Sequence, residues 1–196
     1  MPLNKGFLFD LYNKIKRHHI VLLWKSQRKK FKSIGPGSSV IDLPLVMGYN
    51  CICVGKRFFC GKDVRIEAWE KYRNEAFSPE VLIGDNVTLT DRCYISCVNH
   101  VEIGDNVLVG RDVFISDNSH GNATLNSLAD VPLERPLYSK GPVIIQKNVW
   151  IGRQVTILSG VTIGENSIIG ANSVVNKDIP ANCLAVGSPA VVVKLI

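Results

Sequence analysis

Between Val143 and Ile179 the chain repeats every six residues: VIIQKN, VWIGRQ, VTILSG, VTIGEN, SIIGAN, SVVNKD. The third residue of each unit is aliphatic: Ile145, Ile151, Ile157, Ile163, Ile169 and Val175. An amphipathic helix would space its apolar residues three or four apart, and an ordinary strand would alternate without resetting. Alternation that lasts about three residues and restarts every six builds short strands joined by corners, the pattern of a parallel β-helix. Gly152, Gly164 and Gly170 directly follow three of the lattice positions, where a tight corner favours a residue without a Cβ.

A solenoid keeps its phase beyond its clearest stretch. Ile103, Val109 and Ile115 fall on the same lattice, and Ile115 lies thirty residues before Ile145, so the non-repetitive segment 119–142 leaves and returns in phase. Ile83, Leu89 and Ile95 form another set, displaced by two residues at Val98 to Val101, and Val54, Cys60 and Ile66 form an earlier one. Residues four after the lattice positions, such as Val87, Cys93, Val107, Val149, Ser167 and Ser173, are small or β-branched and supply a second inward row. Ile34 to Met47, punctuated by Gly35, Pro36, Gly37 and Pro44, reads as a loop or an irregular first coil. Segment 68–79 (AWEKYRNEAFSP) breaks the phase, and its Trp69, Tyr72 and Phe77 read either as packing on the solenoid or as the rim of a pocket.

The net charge of +6 is unevenly spread. Residues 1–35 hold nine Lys or Arg against Asp10 alone, while the other 161 residues hold fourteen basic and sixteen acidic groups. Leu8, Leu11, Tyr12, Ile15, His19, Leu22 and Leu23 fall near one helical face of this basic segment. Two readings follow: a helix that caps the open first coil, or a basic amphipathic helix in peripheral contact with an anionic membrane surface. Nucleic acid is not an expected partner, because no basic patch with interleaved aromatics or reader motif accompanies the charge. No apolar run approaches the ~20 residues of a membrane span, and no apolar leader precedes a small-residue cleavage site, so the expected compartment is the cytoplasm. The six Cys agree, since they form no C-x-x-C pair and Cys60 and Cys93 occupy inward rows as small apolar fillers.

His120 ends the segment ISDNSH just as the repeat gives way to the long excursion. Long loops leaving a rigid scaffold are often functional, and imidazole is the side chain suited to general-base work near neutrality. His100 lies five residues past Ile95, as His120 lies five past Ile115, so stacking in register would set the two one strand spacing apart, ~4.8 Å. Asn99 and His100 are accordingly acceptor-side candidates, as are Asp117 and Asn118, either of which would be in range to hold the second imidazole nitrogen of His120. With only His100 and His120 in the repeat region, a three-His metal shell is not expected.

The run from Trp150 to Ile196 resembles the C-terminal half of the hexapeptide-repeat acyltransferases, and VFISDNSHG at 113–121 resembles the branch that O-acetylates lipopolysaccharide and capsule. The likeness spans about residues 81–196. It implies an all-β solenoid, a left-handed parallel β-helix of three hexads per coil, occupying 36–196 with the loop 119–142 inserted between coils and the basic helical segment 1–35 ahead of it. It further implies a homotrimer, acetyl-CoA as co-substrate without a metal, His120 as catalytic base, and a sugar or glycan acceptor, the hydroxyl of an O-antigen, a capsule or their precursor. Matching the family's donor site residue by residue gives Trp150, Gly152, Arg153, Ala171, Asn176, Lys177 and Lys194. Arg153 is a departure, standing where many relatives carry a small residue. The alternatives are N-acetylation of an amino sugar, acetylation of a small molecule, and a non-catalytic β-helix scaffold.

Overall fold

Each hexad supplies one strand of two to four residues, and successive strands turn through a corner onto the next of three parallel sheets. The computed structural model describes residues 5–122, 124 and 129–196. The first face carries Ser33–Ile34, Ile52–Val54, Glu80–Ile83, His100–Ile103, Val143–Ile145 and Thr162–Ile163. The second carries Ser39–Val40, Phe59–Cys60, Thr88–Leu89, Leu108–Val109, Trp150–Ile151, Ile168–Ile169 and Cys183–Val186, with Val191–Leu195 closing its edge antiparallel. The third carries Leu45–Met47, Arg65–Ala68, Tyr94–Cys97, Phe114–Ser116, Thr156–Ile157 and Val174–Val175.

The lattice is the stacking register. Ile103 pairs with Ile145 and Ile145 with Ile163, Val109 with Ile151 and Ile151 with Ile169, Ile115 with Ile157 and Ile157 with Val175. These side chains and the second row, Val87 to Ser173, are almost fully buried in one continuous core. Each buried aliphatic is worth roughly 1.5–3 kcal/mol, so the prism is held by its interior stack.

The corner glycines serve a different need from the one the turn geometry predicts. Gly152 does not have a positive φ; a Cβ there would lie 2.6 Å from the backbone nitrogen of Ala171 in the next coil. Close stacking of corners therefore selects the glycine. Left-handed backbone falls instead three residues after the lattice position, at Asn86, Asn106, Asn148 and Asn166 on the corner after the first face, each with φ of 59–61°. Asn tolerates that region better than other residues with a Cβ. The same four side chains, with Asn182, form an amide ladder in which each Nδ2 donates to the next Oδ1 at 2.8–3.0 Å.

At the N-terminal end the structure extends the repeat. Ile34, Val40 and Val46 pair in register with Val54, Cys60 and Ile66, so 34–47 is a full coil and Ser33 already belongs to it. Their partial exposure and the intervening prolines hide the pattern. The expected helical segment 1–35 accordingly ends sooner, as helix Lys5–Gln27 followed by the short 3-10 turn Arg28–Lys30. Its C-terminal end caps the first coil: Trp24 and Phe31 join the core, and Gln27 Nε2 donates to Pro44 O and Tyr49 Oη, both at 2.8 Å.

One corner takes all of the irregularity. Within the faces and across the other two corners the lattice advances by six residues throughout the described coils. The breaks at 48–51, 68–79, 98–101, 119–142 and 176–178 all fall where the third face passes to the first. Successive excursions are thereby stacked along one edge of the prism.

Candidate active site

Ser96 and Ser116 still pair in register on the third face, but the two coils separate one residue later. Asp117 turns its carboxylate back into the corner of the preceding coil. Oδ1 accepts the N–H of Val98 at 2.9 Å, and Oδ2 accepts those of Asn99 and His100, each at 2.8 Å. Asn118 Nδ2 donates to Ser96 O, Ser96 Oγ and Asp117 Oδ1 at 3.0–3.2 Å. Burial, and then the Asp117 carboxylate beside it, raise the Cys97 thiol well above the usual thiol range, so Cys97 remains a protonated donor to Oδ2.

This arrangement corrects two expectations. Asp117 is fully buried and its oxygens are committed to three backbone N–H groups, so it organises the two-residue slip and does not hold the imidazole. Asn118 spends its amide protons on Ser96 and Asp117 and borders the groove beside His120. His100 does not stack on His120, because the slip turns it onto the first face, where it pairs with Glu80 (Nδ1 to Oε2, 3.3 Å) and Glu102 (Nε2 to Oε2, 3.6 Å). Asn99 lies at the turn itself, its N–H held by Asp117.

His120 departs from the coil in a two-residue strand, Ser119–His120, paired antiparallel with Leu137–Tyr138 of the returning excursion. Its ring meets Tyr72 edge-on, with centroids 5.5 Å apart, and Nδ1 lies 3.4 Å from the Tyr72 hydroxyl. That hydroxyl donates to Leu133 O at 3.0 Å. Having one proton to give, the Tyr72 oxygen acts as acceptor toward Nδ1–H, which leaves Nε2 as the basic nitrogen. Arg73 ties the same two excursions together through Leu133 O at 2.9 Å and a bidentate pair with Glu134. Sequence reading named Tyr72 only as an aromatic of undecided role, and Arg73 and Glu134 went unnoticed.

The imidazole borders a groove of ≈ 620 Å³ lined also by Arg135, Tyr138, Lys140, Leu158, Ser159 and Asn176. Ser159 fixes its floor by donating to Asp117 O at 2.8 Å and accepting the N–H of Lys140 at 2.8 Å. Of the residues matched to a donor site, Asn176 shares this groove, and Lys177 follows it on the same corner. Trp150, half exposed, projects from the second face; Gly152, Arg153 and Ala171 form its corner with the third; Lys194 lies on the closing strand opposite Leu184. Within one chain these five are separated from His120 by the width of the third face. Among the described residues, no group of three or more His, Cys, Asp or Glu is placed to hold a metal ion.

Residues 142–177 match the family model described as bacterial transferase hexapeptide (six repeats). The chain is also 32% identical over 143 residues to the putative lipopolysaccharide biosynthesis O-acetyl transferase WbbJ of Escherichia coli K12, covering 71% of this chain and 69% of that one. The chain belongs to the hexapeptide-repeat acyltransferases. As a member of that family its solenoid is the left-handed β-helix. A hexapeptide-repeat acetyltransferase of Vibrio cholerae, solved with acetyl-CoA, superposes with a TM-score of 0.60 at 25% identity, over 88% of this chain and 75% of that one. An N-acyltransferase of Bacillus cereus, AntD, solved with dTDP-4-amino-4,6-dideoxyglucose and CoA, shares the fold with a TM-score of 0.69 at 18% identity, over 87% of each chain.

Proposed function

We propose that the protein transfers the acetyl group of acetyl-CoA to a hydroxyl of a surface polysaccharide, O-antigen or capsule, or of its sugar precursor. The observation that carries the reading is the setting of His120, its Nδ1 engaged by Tyr72 at the mouth of a groove. A sugar hydroxyl does not ionise at neutral pH, so His120 Nε2 takes its proton as the oxygen attacks the thioester carbonyl. Collapse of the tetrahedral adduct expels the thiolate of CoA, and the imidazolium returns the proton to that sulfur. Stabilising the oxyanion calls for pre-placed donors, and the backbone N–H groups of the rigid coil corners supply that chemistry.

Support for acetyl-CoA comes from the V. cholerae relative, solved in complex with it. Support for a glycan hydroxyl comes from the relative named as a lipopolysaccharide O-acetyl transferase. The N-acyl alternative leans on AntD, whose likeness extends to the fold alone. Trp150, Gly152, Arg153, Ala171 and Lys194 are assigned to the donor, with Asn176 and Lys177 on the edge that carries His120. A homotrimer accounts for the split between the two edges, since a C₃ assembly sets one edge of a prism against another edge of its neighbour. The cytoplasm, where acetyl-CoA is made, is the compartment this reading assigns.

Acceptor-dependent release of CoA from acetyl-CoA, measured across hydroxyl sugars, amino sugars, nucleotide sugars and extracted glycans, tests the reading. A hydroxylamine-labile product on a hydroxyl sugar or glycan is expected. A product formed only on amino sugars and resistant to hydroxylamine would replace O-acetylation with N-acetylation.

A further inference from the structure

Helix Lys5–Gln27 has two apolar sides, and the solenoid uses one of them. Ile20, Trp24 and Gln27 lie toward the first coil, where Trp24 is buried. At about 100° per residue, Leu11, Tyr12, Ile15, Leu22 and Leu23 fall within a separate sector of about 120°. All five are exposed, from 40% for Leu23 to 62% for Tyr12, and none belongs to the core cluster. Lys16 borders one edge of this stripe, and Lys14 and Lys25 border the other. None of the three is ion-paired among the described residues.

An exposed apolar stripe of this kind, interrupted by His19 and Ser26, calls for a covering surface. Packing the stripe against a second copy would bring together two segments that each hold nine basic groups and one acidic group within residues 1–35. Charge therefore opposes that occupant and favours an anionic one. No helix among the described residues is long and apolar enough to cross a membrane, so a lipid partner is met at its surface. We infer that this helix docks the protein on the surface of an anionic phospholipid bilayer, the stripe entering the acyl boundary and the flanking lysines meeting the phosphates. The inference goes beyond the acyl-transfer reading and does not depend on it.

The full-length protein is sedimented with vesicles of phosphatidylcholine alone or mixed with phosphatidylglycerol. Binding is expected to the mixed vesicles, weaker by at least about tenfold to the neutral ones, and reduced at about 1 M salt, where the screening length shrinks to ~3 Å. Ile15→Glu with Leu22→Glu, both exposed and so expected to fold with an unchanged melting temperature, abolishes binding; Lys14→Glu with Lys25→Glu weakens it by at least about tenfold. Equal binding to both vesicle types, or full binding by the Ile15→Glu/Leu22→Glu variant, would overturn the inference. So would failure of the wild type to bind vesicles while that variant loses mass in light scattering, because the stripe would then be a contact between copies.

Discussion

The Tyr72 hydroxyl lies 3.4 Å from Nδ1 of His120 while donating its own proton to Leu133 O, so one phenol fixes both the ring and its tautomer. The two residues are 48 apart in sequence and meet because both excursions leave from the same edge of the prism. Tyr72 is on this account a positioning residue, acting through His120.

Replacing Tyr72 by Phe keeps the edge-on ring contact and removes the acceptor. With one hydrogen bond lost, kcat is expected to fall about tenfold, with the KM for acetyl-CoA unchanged. A rise in KM with kcat unchanged would assign Tyr72 to binding.

Asn148 joins two rungs of the amide ladder, accepting from Asn106 and donating to Asn166, both at 3.0 Å, with φ at 61°. Asn148→Gly breaks the ladder without backbone strain, and Asn148→Ala adds about 1–2 kcal/mol for a Cβ in the left-handed region. Thermal melts should therefore rank Ala below Gly, the reverse of their usual order in regular structure. Equal melting temperatures would show that the backbone relaxes there.

Burial pushes the Cys93 thiol up to about 11. In the unfolded chain this thiol ionises first, while the folded state keeps it protonated, so raising the pH from about 9 through 11 costs the folded state stability. Wild type should lose melting temperature across that window, and Cys93→Val, which fills the same inward position, should lose less. At neutral pH a thiol reagent should reach only the half-buried Cys51 and Cys53, since Cys60, Cys93, Cys97 and Cys183 are buried.

Ile157 is fully buried and paired in register with both Ile115 and Val175. Ile157→Val should cost about 0.5–1.5 kcal/mol. Ile157→Asp would bury an unpaired carboxylate and should yield no folded protein. A soluble Asp variant with an unchanged melting temperature would contradict the register.

Much of the fold was legible because a β-helix writes its interior directly into the sequence: within each coil the inward residue of one face is followed six residues on by that of the next. The coil at Ile34, Val40 and Val46 is legible only as one of two readings, a loop or an irregular first coil, since an end coil is half exposed and prolines interrupt it. The site was less legible, because it is made by departures from the repeat. His120 stood out as a rare residue where the period stops. His100 and Asp117 do not hold it, because stacking by equal offsets from Ile95 and Ile115 fails once Asp117 captures the N–H groups of Val98, Asn99 and His100. Tyr72 lies in a segment with no period, so nothing in its spacing pointed to a histidine in a later coil. For the donor residues, the lattice does predict the separation: Gly152 and Ala171 follow second-face positions, whereas Asn176 follows a third-face one.

The central claim is that His120 is the base for acyl transfer, and the most direct measurement is acceptor-dependent CoA release by wild type and His120→Ala, alongside acetyl-CoA binding by calorimetry. The account predicts that the variant binds acetyl-CoA as wild type does while turnover falls by a factor on the order of 10²–10⁴, the usual contribution of a general base. Turnover within a few-fold of wild type would contradict it.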